Sequence, residues 1–207
     1  MTKEKGKIFI VSAPSGSGKN TVMNEVMALF PKMRYSISAT TRAMRPGETD
    51  GVSYYFVSEK RFDEMLEKGE LLEHTGYVGH RYGTPAKPLR ALVEDGYDVV
   101  MDVDVVGGLA IKEKIPEAVL VFLVTPSIDE LRRRLVCRGD VAPDVIEQRI
   151  AKAYEELPKA ELYDYIVVND DLKTAVDEMR SIVTAEKCKT VERFHFIKEE
   201  LSCSTPL

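Results

Sequence analysis

One stretch constrains the fold of this 207-residue chain more than any other: Ala13-Pro14-Ser15-Gly16-Ser17-Gly18-Lys19-Asn20-Thr21. It follows Lys7-Ile8-Phe9-Ile10-Val11-Ser12, a largely apolar run of the kind that forms a strand buried on both faces. It precedes a helical stripe, Val22, Val26, Leu29 and Phe30, stopped by Pro31. Strand, glycine turn and helix together make a phosphate cradle: the turn gathers backbone N–H groups and the helix N-terminus adds positive potential. Lys19 supplies a point charge for β- and γ-phosphates. The match to G-x-x-x-x-G-K-[ST] has two departures. Ala13 stands at the first glycine, where an ordinary φ suffices. Asn20 stands where a Mg²⁺-binding hydroxyl is usual, and Thr21 comes one position late. The plain alternative, a glycine turn with no ligand, is disfavoured by the flanks and by Lys19.

The rest of the chain alternates in the same way. Tyr97 to Val103, Val119 to Val124 and Tyr165 to Val168 read as further strands. Ser127 with Glu130 is a capping box opening a helix striped by Ile128, Leu131 and Leu135. Ile146, Ile150, Ala153 and Leu157 stripe another helix, and Leu172, Val176, Met179 and Val183 a closing one. The pattern predicts an α/β fold with a parallel sheet flanked by helices. Residues 35–84 break the rhythm. Short strand-like pieces, Tyr35-Ser36-Ile37-Ser38 and Tyr54-Tyr55-Phe56-Val57, surround Pro-Gly and Asp-Gly turns, and a short helix with Phe62, Met65 and Leu66 ends at Gly69. This stretch reads as an inserted subdomain, and residues 136–149 as a mobile polar loop between helices. Composition excludes several classes. With 44% hydrophobic and 30% charged residues the chain is neither disordered nor membrane-spanning, and a net charge of -5 disfavours nucleic acid. No secretory leader is expected, and Cys137, Cys188 and Cys203 lack metal-ligand spacing, so a reducing cytoplasmic setting is expected.

A second phosphate site is suggested by Ser38-Ala39-Thr40-Thr41-Arg42-Ala43-Met44-Arg45-Pro46-Gly47-Glu48. Two arginines three apart before a Pro-Gly turn can clamp a phosphate from two directions, with the hydroxyls of Tyr54 and Tyr82 completing it. Alone, such arginines are more often a solvated basic loop. Several motifs occur in order: S-A-P-S-G-S-G-K, T-T-R-x-x-R-P-G-E, Y-Y-F-V, L-L-E-H, R-Y-G-T, M-D-V-D, P-S-I-D-E-L-x-x-R-L and I-V-V-N-D-D. Over residues 6–187 the chain resembles the guanylate kinases, nucleoside-monophosphate kinases that transfer phosphate from ATP to GMP.

The resemblance implies a P-loop NTPase-type sheet of residues 6–34 and 85–187, a GMP-binding subdomain at about 35–84, a lid at about 136–149 and a tail at 188–207. It implies that residues 13–21, with Asn169 and Asp170, bind ATP. Arg42, Arg45, Tyr54 and Tyr82 would hold the GMP phosphate, and Ser38, Glu73, Thr84 and Asp104 would read guanine. The chemistry agrees: a Glu73 carboxylate can accept from N1–H and N2–H₂ together, and a hydroxyl can satisfy O6, whereas adenine would leave these groups unpaired. Asp102, ending an apolar run, matches a Walker-B aspartate and would hold Mg²⁺ with Asn20 nearby. Lys19, Arg42, Arg134, Arg138 and Arg149 would carry catalysis, while Arg132 and Arg133 can equally be solvated face. Where such families place Gln before Gly107, this chain has Val106. The expected reaction makes GDP and ADP, recycling GMP in purine metabolism, with dGMP a further substrate. Partners are small molecules only, in a monomer or homodimer. A kinase for another nucleoside monophosphate and a non-catalytic interaction module remain as alternatives.

Overall fold

The computed structural model describes residues 5–77, 79–137 and 142–203. Its strands are β1 (Ile8–Ser12), β2 (Met33–Tyr35), β3 (Ala39–Thr40), β4 (Tyr55–Phe56), β5 (Leu71–Tyr77), β6 (His80–Pro85), β7 (Asp98–Asp102), β8 (Val119–Val124) and β9 (Tyr165–Val168). Its helices are α1 (Lys19–Leu29), α2 (Glu59–Glu67), α3 (Ala86–Glu94), α4 (Val105–Lys114), α5 (Ile128–Cys137), α6 (Pro143–Glu156), α7 (Leu172–Lys187) and α8 (Thr190–Cys203), with a 3₁₀ turn at Leu157–Leu162.

The apolar runs pair as a parallel five-stranded sheet in the order β2-β7-β1-β8-β9. Alternate residues of β1 feed two cores. Phe9 and Val11 pack with Val22, Val26, Met179 and Val183, so α1 and α7 cover one face. Ile8 and Ile10 pack with Leu89, Ile111 and Tyr163, so α3, α4 and the 3₁₀ turn cover the other. Both faces are therefore dry, which is why these strands lack apolar–polar alternation. β1 lies between β7 and β8, with Val11 level with Asp102 and Val121. The loop leaving β1 thus opens at the middle of the sheet's carboxyl edge, where α/β sheets bind ligands.

The interrupted region forms its own sheet, β4-β3-β6-β5, antiparallel except for β3 beside β4. Ala39, Phe62, Met65 and Leu71 give it a small core.

Local expectations need correcting in four places. The strand expected across Tyr35–Ser38 splits: Tyr35 ends β2 in the large sheet, and pairing resumes at Ala39 in the small one. Leu29 is 50% exposed, and Met23 takes the inner face of α1 instead. Leu157 begins the 3₁₀ turn and packs on the α3–α4 side rather than continuing the α6 stripe. The loop expected at 136–149 is mostly helix. Leu131 and Leu135 stay packed on Ile146, Ile150 and Ala153, which holds α5 helical to Cys137. Pro143, in the first turn of α6, starts the next helix early.

Candidate active site

The loop after β1 turns as its composition requires. Gly18 caps α1 at φ +87, and a Cβ there would lie 2.5 Å from Asn169 Nδ2. Only glycine meets both demands. Ser17 N–H donates to Pro14 O at 3.1 Å, and the buried Ser17 hydroxyl has no hydrogen-bond partner among the described residues. Lys19, the first residue of α1, pairs with Asp102 at the end of β7. Residues 13–21 form one wall of a cavity of about 740 Å³. Asp102, Asp104, Arg134 and Arg149 also line it.

The arginines of α5 and α6 differ in their use. Arg134 donates through Nε to Glu130 at 2.6 Å and through Nη2 to Asn169 O at 2.9 Å. Asn169 Nδ2 in turn donates to Ser17 O at 2.7 Å. Arg133 and Arg134 together push the Glu130 carboxyl down to about 2. The expected capping box is therefore half formed: Ser127 Oγ accepts from Glu130 N–H at 3.1 Å, while the Glu130 side chain serves the arginines. Arg132 pairs with Glu147, joining α5 to α6. Arg149 reaches the cavity and has no ion pair among the described residues. Arg138 lies outside the described residues. Asn169 is buried behind the loop, whereas Asp170 faces solvent and Asp171 caps α7 through Thr174 N–H.

On the small sheet, Arg42 is only 8% exposed. Its Nη1 and Nη2 donate to the two oxygens of Glu48 at 3.0 and 2.6 Å, and its guanidinium lies against the rings of Tyr54 and Phe56. Glu48 first, then Tyr82, raises the Arg42 pKa. Tyr54 and Tyr82 meet edge to face at 5.9 Å, with the Tyr54 ring against Arg42. Arg45 stands exposed on the adjoining turn.

Glu73 on β5 accepts from Thr84 Oγ1 on β6 at 2.7 Å. Burial, chiefly, and the nearby Asp104 raise the Glu73 carboxyl above its ordinary value. Asp104 caps α4 by accepting from Gly107 N–H at 2.8 Å. A Cβ at Gly107 would come within 3.2 Å of Glu73 Oε2. Ser38 stands apart from this pair: with Asn20, Tyr54 and Asp102 it lines a second cavity of about 320 Å³.

Three residues carry site functions that the sequence reading left without roles. Glu48 closes the arginine clamp. Gly107, in the first turn of α4, leaves room for Glu73, and nothing in the sequence signalled it. Glu156 is 8% exposed, lies on the phosphate-cavity wall and pairs with Lys152 at 3.5 Å. Arg149, Lys152 and Glu156, at i, i+3 and i+7, share one face of α6, a spacing readable in advance.

Among the described residues, no three His, Cys, Asp or Glu side chains converge as a metal cage. The carboxylate of Asp102, at the end of β7 beside the loop, suits Mg²⁺, which binds through one or two carboxylates together with substrate phosphates and water.

Residues 5–186 match the guanylate kinase family. A guanylate kinase of Halalkalibacterium halodurans is 45% identical over 202 residues, covering 96% of this chain and 99% of that protein. One of Symbiobacterium thermophilum is 43% identical over 189 residues, covering 91% and 90%. The crystal structure of guanylate kinase from Anaplasma phagocytophilum superposes with a TM-score of 0.71 at 34% identity, covering 92% of this chain and 90% of that one.

Proposed function

The chain belongs to the guanylate kinase family and phosphorylates GMP with ATP, giving GDP and ADP; from that premise we propose how its residues divide the work. Residues 13–21 bind the ATP phosphates, with Lys19 on the β- and γ-oxygens. Arg42, Arg45, Tyr54 and Tyr82 hold the GMP phosphate. Glu73 and Thr84 read guanine, with Asp104 and Ser38 at the margins of that site. The observation that carries this division is that Asp102 and Asn20 line both cavities, the one around the phosphate loop and the one bounded by Ser38 and Tyr54. Donor and acceptor phosphates then meet at the carboxyl ends of β1 and β7.

The acceptor oxygen of GMP is already anionic, so no general base is needed. Catalysis is in-line positioning and charge neutralisation by Lys19, Arg42 and Arg149, with the scaffold-bound Arg134 beside them; Arg138, expected to join them, lies outside the described residues. Mg²⁺, when bound with ATP, neutralises charge on the phosphate oxygens; Asp102 and Asn20 are the residues that would hold it or its waters. Lys19 must leave Asp102 as the nucleotide enters. The small sheet would serve as a closing element that excludes water; the expected lid at 136–149 includes residues 138–141, which lie outside the described residues. Among the described residues, no helix is long and apolar enough to cross a membrane, and a cytoplasmic enzyme on free nucleotides fits that.

An ADP-release assay with GMP, dGMP, AMP, UMP and CMP tests the reading. GMP should be used at least about a hundredfold better than AMP in kcat/KM, since a site built to pair polar edges rejects an unpaired one. Comparable use of AMP would remove Glu73 and Thr84 as the base readers. A second reading, binding without catalysis, has no support in a chain that keeps Lys19 against Asp102 and retains Arg42 on the small sheet.

A further inference from the structure

We propose that Glu48 is a positioning residue of the acceptor site: it grips the end of the Arg42 guanidinium so that the remaining edge, Nε with Nη2, faces the GMP phosphate. The proposal deepens the reading above and rests on Arg42 being a GMP-phosphate ligand. Arginine has five N–H donors in a planar fork. In Arg42, Nη1 donates to Ala43 O at 2.8 Å and to Glu48 Oε2 at 3.0 Å, and Nη2 donates to Glu48 Oε1 at 2.6 Å. Those bonds use the end of the fork. The side edge keeps Nε–H and one Nη2–H, parallel donors with the spacing a phosphate accepts bidentately.

The same carboxylate fixes the second arginine. Arg45 N–H donates to Glu48 Oε2 at 2.7 Å, and Glu48 N–H donates back to Arg45 O at 3.1 Å, across a turn with Gly47 at φ +86. Glu48 thus ties the Arg42 side chain and the Arg45 backbone to one point. This is no loose surface pair, because the Arg42 side chain is only 9% exposed and lies against the rings of Tyr54 and Phe56. An unheld arginine would have to be ordered at the moment of binding, which costs affinity. A carboxylate beside a phosphate site lowers the net positive charge there, so its presence makes sense as orientation rather than attraction.

The test is steady-state kinetics on the full chain, with wild type, Glu48→Ala, Glu48→Gln and Arg42→Ala each assayed against GMP at saturating ATP and the reverse. Glu48→Ala should raise the KM for GMP about tenfold or more, with the KM for ATP within about twofold. Glu48→Gln, which keeps one acceptor oxygen in the same shape, should restore most of that loss. A purely structural role would move both KM values together and would not separate the two variants. An unchanged or lowered KM for GMP in either Glu48 variant overturns the proposal, as does an equal rise for both nucleotides. If Glu48→Ala does not fold, Glu48→Gln decides alone: its KM for GMP should still rise by about threefold, and wild-type behaviour counts against the proposal. Arg42→Ala separates the two layers of argument. If it leaves the KM for GMP unchanged, the acceptor-site reading itself fails; if it raises that KM and Glu48→Ala does not, only the positioning role fails.

Discussion

On the proposed reading, guanine selectivity would rest on the two oxygens of Glu73 and the space beside them. Thr84 already donates to Glu73 Oε1, which leaves Oε2 as the freer acceptor for the base. Gly107 guards that oxygen by having no side chain: a Cβ would press to 3.2 Å from Glu73 Oε2 and 3.4 Å from Asp104 Oδ1. Gly107→Ala should therefore lower kcat/KM for GMP by about tenfold and leave the KM for ATP within about twofold. The substitution sits in the first turn of α4, where alanine favours helix by up to about 1 kcal/mol, so thermal stability should hold or rise. Full GMP activity in the variant would show that guanine does not use Oε2. Part of this site was legible in the chain and part was not. Glu73 and Thr84 were suggested by the order of the motifs that resemble the family, and their chemistry suits guanine. Gly107 acts through an absence, and only the approach of β5 to α4 in space reveals what a side chain would strike.

The elements around the phosphate loop form a latch of hydrogen bonds. α5 contributes Arg134, the end of β9 contributes Asn169, and both meet the carbonyl of Ser17, at 3.4 and 2.7 Å. Leu131 and Leu135 of α5 pack beneath the loop at Gly16. The loop's shape is thus set by partners more than 100 residues away in sequence, 117 and 152 positions for these two bonds. That explains why the strand–turn–helix was readable locally while the bonds of Arg134 and Asn169 to Ser17 were not. It also explains the misjudged 136–149 loop: a polar, arginine-bearing helix exposes the composition of a loop on its outer side, while its inner stripe of Leu131, Leu135, Ile146 and Ile150 spans the supposed boundary. Removing one bond of the latch should show which nucleotide it serves. Asn169→Ala leaves the Ser17 carbonyl without its shortest partner in a buried setting, at a cost of about 1–3 kcal/mol in unfolding free energy. The KM for ATP should rise about tenfold and that for GMP less than about twofold. Equal effects on both would mean that the latch supports the fold and not the donor site.

Across the whole molecule, the two edges of the large sheet do different jobs. The carboxyl edge carries the phosphate loop and Asp102. The opposite edge ties the start of β1 to the C-terminal helices. There Lys7 N–H donates to Asp98 at 3.0 Å and Lys187 pairs with Asp98 at 2.6 Å. The Tyr165 hydroxyl donates to Glu186 at 2.6 Å, and Lys189 and Lys7 approach the same carboxylate at 2.6 and 3.8 Å. The sheet itself was readable because both of its faces are dry and its strands are unbroken apolar runs. This polar edge was not, since lysines and glutamates near a chain's ends look like solvated charge until α7 folds back and buries Glu186 to 2% exposure. Burial alone would raise the Glu186 carboxyl, but Lys189, the Tyr165 hydroxyl and Lys7 together hold it below its ordinary value of 4.5. A carboxyl depressed in the folded state stabilises above its unfolded pKa, and that stabilisation is lost as pH falls through the folded one. Glu186→Gln should therefore cost about 1–3 kcal/mol at pH 7, where it leaves the two lysines and the tyrosine poorly matched. The gap between variant and wild type should narrow as the pH drops below 4.5, because protonation does to the wild type what the substitution does to the variant. Urea unfolding of both proteins at pH 7 and pH 3 measures it, and a gap that stays constant or widens in acid would show that the Glu186 charge contributes nothing. The KM values for ATP and GMP should not move, because the five residues of β1 place this network about 16 Å from the phosphate loop.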